Sequence, residues 1–432
     1  MWHDVALLCR GGGVIRGHLV EKRGGFMVIK QMSRYINPLV VVAALGYFVD
    51  IYDLILFSIV RIPSLVDMGV PSADLTSVGM MLLNTQMMGM LVGGILWGVL
   101  GDRLGRVSVL FGSILMYSVA NLANGLIDTV SAYAVWRFIA GVGLAGELGV
   151  GITLAAETLP KETRGWGTMA IATFGVSGAI LAGLVAELVN WRACYVVGGL
   201  MGLLLLLLRV KAYESGLFTS QSHSGVARGQ FFALFTHWHR LSKYVACIVV
   251  GLPTWFVIGV LVTFSPELAK GFGVTEPVSA GKAILMAYVG LVVGDLASGV
   301  LSQWWQSRRL VFVFFILLGL VATAWYGYGG IRTAAGIYGA CLALGISVGY
   351  WAIFVTNAAE QFGTNLRATV ATTVPNFIRA SVVPLLLIFQ LGYHRIPSSH
   401  LCMIMGVGCA VLALGAVWWL PETFGKELDY VE

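Results

Sequence analysis

Charged residues are scarce in this sequence. Only 11% of its 432 residues are Asp, Glu, Lys or Arg, whereas 58% are hydrophobic. A soluble globular protein has about 25% charged residues, which it needs to cover a surface that faces water. The deficit excludes an ordinary soluble enzyme and indicates that most of the chain lies in lipid.

Signatures of several catalytic and binding classes are also missing. The six cysteines are scattered, without the spacing of a zinc site or a disulfide framework. The sequence has no Gly-x-x-x-x-Gly-Lys phosphate loop, which argues against ATP-driven transport, and no Ser-His-Asp or zinc motif. His237 and His239 lack a carboxylate or Cys partner. We therefore expect no enzymatic activity, no metal and no cofactor apart from a transported proton.

Long hydrophobic runs are what the sequence has in abundance. Twelve of them are long enough to cross a bilayer, which takes about 20 apolar residues each. The predicted fold class is an all-α polytopic membrane protein with twelve transmembrane helices in two six-helix bundles related by pseudo-two-fold symmetry. The predicted spans are residues 38–61, 77–100, 107–127, 131–157, 166–189, 193–209, 243–265, 282–304, 310–328, 333–357, 369–392 and 400–420.

Lys and Arg are distributed unevenly between the predicted loops. With a cytoplasmic N-terminus, 19 lie on the inner side and 6 on the outer side. Cytoplasmic loops carry such an excess, so both termini are predicted to be cytoplasmic. The net charge of +6 lies between apolar runs, with no basic face for nucleic acid. The N-terminal region lacks the apolar core and cleavage site of a signal peptide. No Asn-x-Ser/Thr sequon is present, which favours a bacterial inner membrane, and we expect a monomer.

The predicted domains follow from the longest polar break, which splits the chain nearly in half. Within this break, the spacing of its aromatic residues from Phe231 to Trp238 is typical of a helix on the membrane surface. The domains are a cytoplasmic tail (1–36), a six-helix bundle (37–209), a cytoplasmic linker (210–242), a second six-helix bundle (243–421) and a cytoplasmic tail (422–432).

The two halves repeat landmarks at a nearly fixed offset. AAETLPKETRG contains Glu157 and Arg164, and AAEQFGTNLRA contains Glu360 and Arg367, 203 residues later. Pro63 and Pro266 are separated by the same 203 residues. Such internal repetition indicates a duplicated unit of six spans.

The segment GGILWGVLGDRLGR falls in the short loop between predicted spans 2 and 3. It resembles the signature loop of the major facilitator superfamily. The resemblance implies a cytoplasmic gate that also includes the acid–arginine pairs at the inner helix ends; the alternative is plain interfacial solvation. Gln303 stands where the first half has Asp102, which departs from the repeated pattern. The implied gate residues are Gly98, Asp102, Arg103, Arg106, Glu157, Arg164, Glu360 and Arg367.

Three more stretches resemble the branch of metabolite:proton symporters and sugar porters: GYFVDIYDLILF, RFIAGVGLAGELGVG and LPETFGKELDYVE. The resemblance implies secondary active import of a small organic solute, such as an organic acid, amino acid or osmolyte, with a proton. Proton-driven efflux and an uncoupled facilitator are alternatives. Exporters of this superfamily typically carry a Gly-Pro motif on helix 5, and span 5 here has glycines but no proline, which favours import.

Ionisable residues inside spans are kept chiefly where they function or pair. Asp53 and Arg137 lie at similar depths on spans 1 and 4, so a salt bridge is geometrically possible. The resemblance assigns proton coupling to such a pair; the alternative is a static structural pair. Asp50 lies one turn deeper and could relay the proton or contact the solute. Glu147, in a glycine-rich run, is either a coupling group or a packed, neutral acid.

Arg379 is the most informative residue of the second half. It lies near the middle of span 11, where an unpaired charge would be costly, so we expect it to pair either with Asp295 or with an anionic solute. Glu187, near the outer end of span 5, is expected to be solvated. Other residues could line a solute cavity, although most aromatic residues in spans face lipid or other helices. These candidates are Tyr47, Tyr52, Asn84, Gln86, Trp255, Asn357 and Asn376.

Overall fold

The computed structural model describes residues 38–104, 106–147, 170–214, 231–393 and 395–425. Ten helices in these ranges are long and apolar enough to cross a membrane, and two shorter apolar helices, Val109–Asn124 and Val130–Leu144, accompany them. Together they match the predicted twelve, which confirms the all-α architecture. We number them spans 1 to 12 in chain order. The end that carries Pro63 and Pro266 is called the outer end, following the predicted orientation, and the opposite end the inner end.

Spans 1 to 6 form the first bundle. Helices suit lipid because they pair every backbone N–H and C=O within the segment. The hydroxyl of Thr129 caps span 4 by accepting a hydrogen bond from the N–H of Ala132 at 3.3 Å. The helices are α1 (Pro38–Asp67), α2 (Leu75–Leu104), α3 (Arg106–Asn124), α4 (Val130–Leu144), α5 (Gly178–Leu188) and α6 (Trp191–Glu214).

Spans 7 to 12 form the second bundle, in which three spans are interrupted where the sequence predicted continuous runs. A π-helical turn, Val257–Val262, divides span 7, and spans 10 and 11 break at residues 348–350 and at Ser381. Pro384 explains the break in span 11, because proline cannot donate to the carbonyl four residues earlier. The helices are α7 (Trp238–Val250), α8 (Leu252–Phe256), α9 (Ser265–Gly271), α10 (Ala280–Trp305), α11 (Arg308–Tyr328), α12 (Ala334–Ser347), α13 (Trp351–Glu360), α14 (Thr364–Ala380), α15 (Val382–Tyr393) and α16 (Ser398–Trp419).

Close helix crossings recur at matching places in the two bundles. A side chain at Gly141 of span 4 would collide with the carbonyl oxygen of Gln86 in span 2. In the same way, a side chain at Gly345 of span 10 would collide with the carbonyl oxygen of Ala287 in span 8. Small residues allow such backbone contact, which drives helix packing in lipid. The matching crossings support a duplicated six-helix unit.

The segment predicted as a surface helix is a short 3₁₀ turn, Phe231–Phe235, and span 7 already begins at Trp238. Phe231 is buried, and its ring centroid lies 6.2 Å from that of Phe377 in span 11. Phe232 and Trp238 are exposed. In the described part of the linker, residues 231–235 thus form a 3₁₀ turn where the sequence predicted a longer helix, and Phe231 packs into the second bundle.

Candidate functional site

A central cluster of buried polar residues lies where the two bundles meet. We define it as Tyr47 and Asp50 of span 1, Trp351 of span 10, and Asn376 and Arg379 of span 11. Nη2 of Arg379 lies 3.6 Å from Oδ2 of Asp50, and neither side chain is exposed. This ion pair joins the two bundles. At 3.6 Å the pair is held by charge, because the separation is beyond a good hydrogen bond.

Asn376 fixes the orientation of the Arg379 guanidinium. Its Oδ1 accepts a hydrogen bond from Nη1 of Arg379 at 3.3 Å, and its Nδ2 donates to the carbonyl oxygen of Ala145 in the first bundle at 2.8 Å. Nε and Nη2 of Arg379 form the edge that binds a carboxylate with two parallel bonds. Both atoms are buried and make no hydrogen bond to any residue that the structure describes. The centre therefore presents a two-donor edge whose Nη2 faces the carboxylate of Asp50 at 3.6 Å.

Tyr47 and Trp351 provide a further link between the bundles at this depth. Nε1 of Trp351 donates to the hydroxyl of Tyr47 at 2.8 Å. Trp255 of span 7 packs against Trp351 with ring centroids 6.5 Å apart, and its Nε1 is buried without a hydrogen-bond partner. Next to the central cluster, Trp255 thus provides an aromatic ring and an indole N–H that has no partner among the described residues.

Asp295 is not the partner of Arg379, which corrects one of the two expected pairings. Its Oδ1 accepts a hydrogen bond from the backbone N–H of Ala352 at 3.1 Å. Ala352 lies in the first turn of α13, where backbone N–H groups have no partner within the helix. Asp295 therefore stabilises the restart of span 10 after its break, and Asp50 is the acid beside Arg379.

Asp53 and Arg137 are both fully buried, but they do not form an ion pair within 4.0 Å. Nη2 of Arg137 instead donates to Oδ1 of Asn121 in span 3 at 2.7 Å, and its guanidinium lies 4.7 Å from the ring centroid of Tyr195. The expected salt bridge is thus replaced by an arrangement in which Asn121 binds the arginine.

Glu147 forms an ion pair with Arg209 at the end of span 6, a residue that was not among the candidates from the sequence. Both side chains are buried, and Nη1 of Arg209 donates to Oε2 of Glu147 at 3.0 Å while Nη2 contacts Oε1. Gly46 of span 1 makes room for the pair, since a side chain there would collide with both partners. Glu147 is therefore packed and hydrogen-bonded, as one of the two alternatives had it, but its partner is an arginine, which favours the charged form over the neutral one.

The remaining candidates for a solute cavity contact residues outside the central cluster. The hydroxyl of Tyr52 donates to the carbonyl oxygen of Cys194, and Nε2 of Gln86 donates to that of Leu54, so both hold first-bundle helices together. Oδ1 of Asn357 accepts a hydrogen bond from Thr423 in the C-terminal tail at 2.9 Å. Asn357 therefore belongs to the inner end and not to a central cavity.

The comparisons with known proteins decide the family. The model of the Major Facilitator Superfamily matches residues 43–383, which is more than half of the chain. The chain belongs to the Major Facilitator Superfamily. It is accordingly an integral membrane transporter and not an enzyme.

Relatives within the superfamily cover nearly the whole chain. A putative metabolite transport protein of Haemophilus influenzae is 28% identical over 90% of this chain and 96% of its own length. A putative niacin/nicotinamide transporter, NiaP, of Bacillus subtilis is 26% identical over 93% of this chain and 99% of its own. The structure of the proton:xylose symporter XylE matches with a TM-score of 0.68 at 17% identity, covering 92% and 98% of the two chains. The last match supports the fold alone.

The residues predicted to form a cytoplasmic gate are partly described. A side chain at Gly98 would approach Thr373 of span 11 to 3.9 Å, so the bundles are close there. Glu360 accepts hydrogen bonds from Arg308 at 3.3 Å and from Thr423 at 2.8 Å. Arg367 lies in the first turn of α14. Glu157 and Arg164, and the side chains of Asp102, Arg103 and Arg106, lie outside the described part of the chain.

The C-terminal tail docks on the start of span 9 through Glu422. The hydroxyl of Ser307 donates to Oε2 of Glu422 at 2.6 Å, and the backbone N–H of Arg308 donates to Oε1 at 2.9 Å. Partial burial alone would raise the pKa of Glu422, but the hydrogen bonds from Ser307 and three backbone N–H groups outweigh it and lower the pKa from 4.5 to about 2. The carboxylate therefore caps a helix N-terminus, where negative charge is favourable.

Replacing Glu422 with glutamine is expected to loosen this docking, because the neutral amide loses one acceptor oxygen and the negative charge. Since docking lowers the pKa, the carboxylate favours the docked tail above pH 4.5, and this contribution is lost as the pH falls toward about 2. Hydrogen exchange at pH 7 should show faster exchange at the start of span 9 in Glu422→Gln, with unchanged exchange at the start of span 8, which Ser279 caps. Equal exchange in both proteins at the start of span 9 would remove the capping role.

Proposed function

We propose that this protein imports a small organic carboxylate together with a proton. The observation that carries the proposal is the buried Nε–Nη2 edge of Arg379, which makes no hydrogen bond and lies beside Asp50. A carboxylate is the group that this edge binds best, through two parallel charge-assisted hydrogen bonds. The name of the relative from Bacillus subtilis gives two solutes, niacin and nicotinamide. Niacin is an aromatic carboxylate and supports this class, and nicotinamide is its neutral amide, which makes the two a direct comparison.

Proton coupling follows from one arginine facing two anions. A solute carboxylate bound to Arg379 competes with Asp50 for the same positive charge. Asp50 is fully buried, and a buried carboxylate that loses its partner is strongly destabilised unless it binds a proton. Solute binding therefore favours protonation of Asp50, and the site stays electrically balanced with one arginine, one carboxylate and one neutral acid.

Alternating access gives this competition a direction. The Asp50–Arg379 pair, the Tyr47–Trp351 hydrogen bond and the Asn376–Ala145 hydrogen bond all join the two bundles. Rocking of the bundles about a central site would break or remake these links, so their state depends on which side of the membrane the site faces. We place the protein in a bacterial inner membrane with cytoplasmic termini, where the proton gradient drives solute inward.

The transport test uses nicotinate and nicotinamide, two rings of the same shape that differ by the charge of one group. In proteoliposomes with an acidic exterior, nicotinate is expected to accumulate and nicotinamide is not. One pH unit stores about 1.4 kcal/mol per proton, which corresponds to about tenfold accumulation at one proton per solute. A panel of other monocarboxylates covers the case in which nicotinate is not the solute. Export driven by the same gradient, or carboxylate flux that ignores pH, would contradict the proposal.

Replacing Asp50 with asparagine is expected to abolish accumulation while leaving exchange of nicotinate across the membrane. The amide keeps the shape of the side chain but cannot bind or release the proton. With one pH unit applied, the accumulation ratio should fall from about tenfold to about one. Counterflow with labelled nicotinate measures the exchange that should remain.

Asp53→Asn is the matched comparison for Asp50→Asn. Asp53 lies one helical turn away, and its nearest arginine is in its own bundle, bound to Asn121. The Asp50 scheme predicts that Asp53→Asn keeps a pH-dependent accumulation ratio above one. If Asp53→Asn loses accumulation and Asp50→Asn retains it, the coupling acid is Asp53 and the competition at Arg379 is not the coupling step.

A further inference from the structure

A second buried ion pair joins the two bundles, far from the central cluster and at the outer end. Nη2 of Arg61 in span 1 lies 2.7 Å from Oε1 of Glu267 in α9. Nη2 also donates to the carbonyl oxygen of Thr263 at 3.3 Å. Arg61 is the last residue of predicted span 1 and has no exposed surface. Its contacts therefore need the outer ends of spans 1 and 7 to be together.

The repeat of the sequence locates this pair near the pseudo-two-fold axis. The offset of 203 residues that relates Pro63 to Pro266 also relates Arg61 to Phe264. The guanidinium carbon of Arg61 lies 4.4 Å from the ring centroid of Phe264. A residue that contacts its own symmetry equivalent lies close to the axis. Rocking that opens the outer end must separate the residues at this point.

The surroundings of Arg61 are built around its side chain. A methyl group at Gly79 of span 2 would lie 2.6 Å from Cδ of Arg61. Nε and Nη1 of Arg61 and Oε2 of Glu267 are buried without hydrogen-bond partners among the residues that the structure describes. The pair thus has two charges removed from water with incomplete hydrogen bonding, an arrangement in which desolvation offsets much of the attraction.

We propose that Arg61 and Glu267 form the outer gate of the transporter: their ion pair holds the outer end closed and breaks when the solute pathway opens outward. Opening loses the attraction between the charges but returns both to water, so the pair can break and re-form. Removing one charge changes this balance, because the other is then buried without a partner when the gate is closed and hydrated when it is open. A single neutral substitution should therefore favour the open outer end. The proposal does not depend on the solute or on proton coupling.

Glu187 and Lys282 provide a matched control on the same face. Their charged atoms are 3.7 Å apart and also join the two bundles at the outer end, but the side chains are 46% and 53% exposed. This exposure confirms that Glu187 is solvated. An exposed pair contributes little, because water and salt screen it in both states. Neutralising Glu187 should leave the gate as it is.

The experiment measures access to the outer interface with a thiol reagent that does not cross membranes. Ile59→Cys places the reporter thiol in a buried position of span 1 that packs against Gly281 of span 8. The described native cysteines are all buried. In intact cells, Glu267→Gln and Arg61→Gln are expected to raise the labelling rate of I59C about tenfold or more, which corresponds to a bias of about 1.4 kcal/mol. Glu187→Gln should label at the parent rate.

Charge exchange separates a specific gate from general loosening. The double variant Arg61→Glu with Glu267→Arg restores an ion pair and is expected to bring labelling back toward the parent rate. Labelling in detergent-denatured samples gives the total protein, so a variant that does not fold is recognised by its low yield. The other single neutral variant then carries the test. The proposal is overturned if neither single variant labels faster, if Glu187→Gln labels as fast as they do, or if the exchanged pair stays as open as the single variants.

Discussion

Replacing Arg379 with alanine is expected to weaken nicotinate binding by about thirtyfold or more and to abolish its pH-driven uptake. Truncating one partner of a buried charge pair costs about 2–5 kcal/mol in affinity, and about 2 kcal/mol corresponds to thirtyfold. Nicotinamide binding should change little, since it brings no charge to the guanidinium. Ligand-dependent thermal shifts of purified protein measure both affinities under the same conditions.

Two variants make this result interpretable. Arg379→Ala leaves Asp50 buried without its arginine, which by itself could destabilise the protein. The double variant Arg379→Ala with Asp50→Asn restores charge balance. It should fold but remain unable to bind nicotinate. Arg379→Lys keeps the positive charge but not the two-donor edge, and should bind weakly. If the lysine variant binds nicotinate as tightly as the parent, charge alone suffices and the edge oriented by Asn376 has no role in recognition.

Removing Arg209 is expected to give the largest loss of stability. Breaking a buried ion pair by deleting one partner costs about 3–5 kcal/mol, because it leaves an uncompensated buried charge. Arg209→Ala leaves Glu147, which is 1% exposed, in that situation. The free energy of unfolding, measured with increasing denaturant in detergent micelles, should fall by this amount relative to the parent.

The double variant Glu147→Gln with Arg209→Met is the control for that loss. It removes both charges while keeping side chains of similar length, and such replacements are often nearly neutral for stability. We expect the double variant to recover most of the stability that Arg209→Ala loses. A double variant as unstable as the single one would show that the hydrogen-bonded geometry, and not the unpaired charge, is what matters.

The sequence predicted which residues are buried more reliably than which residues pair. Long apolar runs define the spans, and the charges within them must avoid lipid, so burial of Asp50, Asp53, Arg137 and Arg379 follows from position along the chain. Pairing depends on the rotation of each helix about its own axis and on the approach of the two bundles, neither of which a single sequence contains. Asp50 and Asp53 lie one turn apart, yet Asp50 meets an arginine of the other bundle.

Three functional or structural residues were missed for related reasons. Arg209 lies near the inner end of span 6, where an arginine usually belongs to a loop. The helix continues past it to Glu214, so Arg209 lies inside the bundle. Asn121 is an uncharged residue in an apolar helix, so a search for ionisable residues within spans does not select it. Glu267 follows Pro266 at the end of span 7, and its burial depends on Arg61 from the other half, 206 residues away.

The π-helical turn at Val257–Val262 has a consequence for how the second bundle moves. The turn lies between Trp255, which packs against Trp351, and Glu267, which pairs with Arg61 at the outer end. A π-helical turn interrupts the regular hydrogen bonding of an α-helix, and a helix can bend at such a point. We expect α9 (Ser265–Gly271) to move about this π-helical turn. The outer end of the solute pathway could then open before Trp255 and Trp351 change position.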